Sequence, residues 1–230
     1  MSKSTNRIPV ALEVGEKRVV ASAVDWPGWT RVGRDESSAL GALLAYAPRY
    51  KLAIKSARQR FPSPTDASAF DVVERLKGDV TTDFGAPGIP PFADAMPVDD
   101  AELKRLQAIL KACWATFEST AASVSGKPLR KGPRGGGRTL DALVDHVIES
   151  HYSYLNRLNW SEKRDTSTSF HRTIEAIKKT DTDALSNAAK GNLPATGPRG
   201  GKLWQPRYFV RRAAWHILDH VWEIEDKVEA

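Results

Sequence analysis

The chain has 230 residues, 41% hydrophobic and 27% charged, with a net charge of +6 at neutral pH. That balance excludes wholesale disorder and leaves enough apolar mass for two small domains or one elaborate one. No run approaches the roughly 18 apolar residues of a membrane span, and Met1 to Arg7 lack the apolar stretch of a secretory signal.

The chain opens in extended character. Val10, Leu12 and Val14 alternate with other residues, Gly15-Glu16-Lys17 forms a turn, and Val19 to Val24 resumes an extended pattern. Asp25-Trp26-Pro27-Gly28 predicts a second turn, followed by a short third strand ending at Gly33. Trp26 and Trp29, flanking this turn, read as core or interface anchors ahead of a base-stacking platform. Asp35 caps a helix carrying Leu40, Leu43 and Leu44, and Pro48 must kink or restart it, because proline has no backbone donor. Phe70 to Leu76 is a further extended segment. Between residues 78 and 97 glycines and prolines exclude a continuous helix, so 1–80 reads as an α/β domain and 81–97 as a linker.

Residues 98–230 read as helical. Asp99 and Glu102 make a capping-box-like start, and Leu103, Leu106, Leu110, Cys113 and Phe117 follow at helical spacing. Cys113 is therefore expected in the core rather than as a nucleophile; as the single cysteine it excludes an intramolecular disulfide and points to the cytoplasm. Further helices are expected from about Thr139 to Trp160, from Thr166 to Lys179 with a resumption at Ala184-Leu185, and from about Pro206 to Val228. The fold class is thus α+β: a small N-terminal α/β domain of strands and a kinked helix, then a C-terminal four-helix bundle.

Two basic, glycine-rich stretches, Lys131 to Arg138 and Gly197 to Lys202, precede the second and fourth of these helices. They match no defined phosphate-binding motif and read as solvated loops. The charge is mild and forms no long Lys/Arg run, so no nucleic-acid partner is expected.

The strongest chemical signal is His216 with His220, whose i, i+4 spacing stacks two imidazoles on one helical face. His146, in the second bundle helix, supplies a third. Three neutral imidazoles and an open position suit a catalytic metal site, with zinc, nickel or ferrous iron all compatible. Glu149 and Glu223 each follow a histidine by three residues and could add a carboxylate or a general base. Arg211 and Arg212, about one turn before His216, could hold an anionic substrate or thiol, with only one of them facing the site. A di-iron carboxylate centre is disfavoured, because the order is His-x-x-Glu rather than Glu-x-x-His.

Thr139 to Val147, together with Arg211 to His220, resembles the DinB-like superfamily of metal-binding four-helix bundles, which includes mycothiol-dependent isomerases and S-transferases. The resemblance implies His146, His216 and His220 as ligands of one divalent metal, and a low-molecular-weight thiol as a further cofactor. Many relatives place a glutamate where His151 stands; on an ideal helix His151 is rotated well away from His146, which makes it a supporting or surface residue. The superfamily usually runs up-down-down-up, which would send the two basic loops to opposite ends; an up-down-up-down bundle would bring them together. The segment Val20 to Leu40 is similar, more faintly, to the HicB antitoxin-like fold.

Two functions follow as expectations. One is a metal-dependent thiol S-transferase or hydrolase acting on a small molecule. The other is a non-catalytic regulatory or interaction protein whose α/β domain binds a partner. A homodimer is compatible with either, and no membrane partner is expected.

Overall fold

A computed structural model describes residues 7–131, 137–197 and 200–229. The chain divides into two compact units, Met1–Met96 and Pro97–Ala230. Residues 132–136 and 198–199 of the two basic loops lie outside the described set.

The first unit is a four-stranded sheet in the order β3-β2-β1-β4. Strands β1 (Ile8–Val14), β2 (Val19–Ala23) and β3 (Thr30–Gly33) are joined by tight turns and pair antiparallel. Strand β4 (Phe70–Lys77) pairs parallel to β1. A parallel neighbour needs a crossover, and helices α1 (Glu36–Ala45) and α2 (Ala47–Ala53) lie in that connection. The Asp35 carboxylate accepts the Ser38 N–H at 2.7 Å to start α1. Pro48 falls in the first turn of α2, where its missing donor costs nothing, so the helix restarts rather than kinks. Trp29 is fully buried: its indole N–H donates to the Leu43 carbonyl at 2.8 Å and its ring stacks on Tyr50. It is a core anchor, not a stacking platform.

The glycine- and proline-rich stretch corrects the expectation of a linker. Residues 81–96, which begin within the short helix α3 (Val80–Phe84), belong to the first unit and are drawn onto the sheet by Glu13 of β1. This carboxylate, only 4% exposed, accepts the Thr82 hydroxyl and the Gly88 and Ile89 N–H groups. Burial nevertheless outweighs these bonds and raises the Glu13 pKa. Glycine and proline mark breaks in regular structure, and here the breaks make tight turns within a packed unit.

The second unit holds helices α4 (Asp100–Ser123), α5 (Leu140–Leu155), α6 (Phe170–Ala189) and α7 (Pro206–Lys227). Asp99, Thr139 and Ser169 cap the first three through side-chain oxygens. Helix α5 stops earlier than its sequence suggests, passing into a 3-10 turn at 156–158 and left-handed Asn159. Helix α6 starts later, at Phe170, and runs unbroken through Ala184 and Leu185.

Cross-helix contacts fix the directions. Glu102, early in α4, meets Arg207, early in α7, so these two run parallel. Gln107 reaches Thr182 and Ser186 late in α6, while Glu118 meets His171 early in it, so α4 and α6 are antiparallel. The chain entering α5 pairs with the end of α7, Arg130 N–H donating to the Lys227 carbonyl at 2.7 Å, so α5 opposes α7. The order is up-down-down-up, and the two basic loops precede helices that start at opposite ends. Cys113 is fully buried, and burial holds its thiol protonated, which disqualifies it as a nucleophile at neutral pH. Among the described residues no helix is long and apolar enough to cross a membrane.

Candidate metal centre

The antiparallel pairing of α5 and α7 sets two i, i+4 stripes against each other. On α5 the stripe is His146, Ser150 and Tyr154; on α7, read backwards, it is His220, His216 and Arg212. His146 thereby meets both α7 histidines, with ring centroids 5.2 Å from His216 and 5.1 Å from His220. The rings of His216 and His220 are themselves 4.7 Å apart. One ligand atom from each of the three lies within 4.8 Å of the others.

The closest approach is His146 Nε2 to His216 Nε2, 3.3 Å. Two imidazole nitrogens about 2.05 Å from one tetrahedral ion would lie about 3.3 Å apart, so the distance suits a shared ion as well as a direct N–H···N hydrogen bond. His220 is orientated by Glu223, whose Oε2 lies 2.7 Å from its Nδ1. An ionised carboxylate can only accept, so Nδ1 carries a proton and donates to it. Lys227 Nζ donates to the other Glu223 oxygen at 2.6 Å. The His220 bond, seconded by Lys227, holds Glu223 at a pKa of about 2.

Electrostatics keep the cluster ready for a cation. Burial first, then the charges of neighbouring His220, His146 and Arg212, push His216 down to about 2. Burial and the charge of Arg138 also lower the pKa of His146. His216 is therefore neutral well below physiological pH, and the downward shift of His146 favours its neutral form as well. The donor set, three imidazoles one of which is backed by a carboxylate, fits a divalent ion of intermediate softness.

The two expected general bases are corrected by this geometry. Glu223 sits beside the centre, but both its oxygens are engaged, and a carboxylate held near 2 is a poor base at neutral pH. It positions His220 instead. Glu149 points to solvent, its side chain 62% exposed, and pairs with Arg164, which also holds Asp145 at 2.7 Å. One turn along α5 separates it from His146, and its side chain turns outward.

The two arginines part company. Arg211 is buried, only 3% exposed, whereas Arg212 lies on the histidine stripe. The Arg212 guanidinium stands 4.5 Å from the Trp215 ring centroid and 5.8 Å from that of Tyr154. Tyr154 in turn packs edge-on against His216, with centroids 5.6 Å apart. Tyr154 was not anticipated, although its position eight residues after His146 already placed it on the same helical face.

His151 is a supporting residue, though a deeply buried one. Its Nε2 lies 2.6 Å from Asp181 Oδ1, and the Trp114 indole donates to Asp181 Oδ2 at 3.0 Å. The network ties α4, α5 and α6 together. A second potential cation set, Glu118, His171 and Glu175, lies at the surface between α4 and α6. There the Lys178 ammonium already bridges the two carboxylates, at 3.4 and 2.7 Å, and supplies the positive charge.

Compared with known proteins, the chain matches no protein-family model, no curated protein and no solved structure.

Proposed function

We propose that the C-terminal unit is a DinB-like bundle that binds one divalent metal, zinc in the first instance, through His146, His216 and His220. On this reading it uses the ion for thiol transfer or hydrolysis on a small molecule. The observation that carries the reading is the convergence of three imidazoles, two of them 3.3 Å apart, across antiparallel helices. The up-down-down-up order supports it further. A metal held by neutral ligands keeps its charge and would activate a bound thiol or water near neutral pH. The chain's own residues do the rest: Glu223 fixes the His220 tautomer, Lys227 holds Glu223, and Tyr154 flanks His216. The lone, inert Cys113 leaves any reacting thiol to come from a small cofactor, which suits a cytoplasmic setting.

Metal content by plasma mass spectrometry tests this directly. The parent chain should carry about one equivalent, and a folded His216→Ala/His220→Ala variant none. No metal in the parent after incubation with zinc, nickel and ferrous iron would overturn the reading.

One observation favours the interaction-protein alternative. The first unit exposes Phe84 at 83% and Phe92 at 74%, unusual for large aromatic side chains. That reading predicts self-association, seen by sedimentation, that Phe84→Ser and Phe92→Ser abolish.

A further inference from the structure

Among the described residues, no carboxylate answers the charge of Arg212, which stands on the histidine stripe. Its Nη1 is buried without a hydrogen-bond partner. Its contacts are the faces of Trp215 and Tyr154. The residues outside the described set contain no aspartate or glutamate, so no acidic side chain is left over to pair with it. A partly buried cation with unused donors is costly unless an anion completes it.

Its position says what that anion belongs to. Arg212 precedes His216 by one helical turn, about 6 Å along α7. The Tyr154 ring bridges the two, touching His216 and facing the guanidinium. A planar fork of N–H donors matches a carboxylate, and the flanking rings match a flat apolar body.

We infer that Arg212 and Tyr154 form the substrate-anchoring subsite of the three-histidine centre, and that the substrate is a small carboxylic acid with a flat apolar body. The carboxylate bonds to Arg212, the body lies along Tyr154, and the reacting group points toward the histidines. This rests on the metal reading above only for its last clause; the anion subsite exists with or without the ion.

The probe is benzoate, with benzamide as its uncharged isostere, each titrated into metal-free and zinc-loaded full-length protein. Binding is read by calorimetry and by quenching of tryptophan fluorescence, since Trp215 lies against Arg212. Benzoate should bind at least tenfold more tightly than benzamide, and Arg212→Gln should remove that preference while Arg212→Lys retains part of it. Zinc stoichiometry should stay the same in Arg212→Gln. Equal binding of benzoate and benzamide to the parent overturns the inference without any variant, as does a preference for benzoate that survives Arg212→Gln. Zinc binding without the benzoate preference sinks the carboxylate subsite alone. An Arg212-dependent preference in a protein that takes up no zinc sinks the metal reading and leaves the subsite standing.

Discussion

Replacing Glu223 tests whether the centre depends on its supporting carboxylate. Glu223 Oε2 receives the His220 Nδ1 proton at 2.7 Å, and Oε1 receives Lys227 at 2.6 Å. A hydrogen bond to an ionised partner contributes about 1.5–3 kcal/mol, and part of that persists without metal. The share that appears only on metal binding is the extra basicity and fixed tautomer given to His220, worth about 10- to 100-fold in affinity at comparable sites. Glu223→Gln keeps an oxygen able to accept from Nδ1 but loses the charge, so zinc should bind about tenfold more weakly. Glu223→Ala loses both and should approach 100-fold. Competition against a chromophoric chelator at constant pH reads both numbers. Glu149→Gln is the internal control: its carboxylate faces solvent and Arg164, and affinity should stay within about twofold. Unchanged zinc affinity in Glu223→Ala, or equal damage from Glu149→Gln, would refute the reasoning.

The remaining expectations concern stability. His146 and His216 are held below their ordinary value of 6.5, so the unfolded chain takes up more protons than the folded one as pH falls through that value. Glu223 adds to the loss from its ordinary 4.5 down toward about 2. The metal-free protein should therefore weaken steadily below pH 6.5 in urea titrations, and His216→Gln should flatten the slope; a level parent profile contradicts this. Asp181→Ala strands the buried N–H groups of His151 and Trp114 and should cost about 3–5 kcal/mol by urea unfolding, with less than 1 kcal/mol counting against the network. Gly33→Ala drives a Cβ into the Ala39 backbone nitrogen where β3 meets α1, and should lower the unfolding midpoint of the first unit sharply. A variant as stable as the parent would show that β3 and α1 can separate without cost.

Much of the fold was legible because its signals are local. Alternation exposed β1 and an extended run exposed β2, Asp35 and Asp99 announced their helices, and Pro48 marked a kink or a restart. The three histidines were legible for the same reason: i, i+4 spacing and helical phase are properties of one segment at a time. What depends on two segments was not. Glu149 follows His146 and Glu223 follows His220 by the same three positions, yet one carboxylate faces solvent and the other bonds to its histidine. Only the packing of α5 against α7 distinguishes them. The same holds for Arg211 and Arg212, and for the Asp181 that buries His151. The glycines and prolines of 81–96 marked breaks correctly, but the buried Glu13 that gathers them is 68 residues or more away in sequence.

The central claim is that one ion is held by three named side chains, and anomalous diffraction at the zinc edge from crystals of the zinc-loaded protein addresses it most directly. The account predicts a single strong peak about 2.0–2.1 Å from a ring nitrogen of each of His146, His216 and His220, with Glu223 still on His220 Nδ1. No peak between α5 and α7, or a peak held by Glu118, His171 and Glu175 instead, would contradict it.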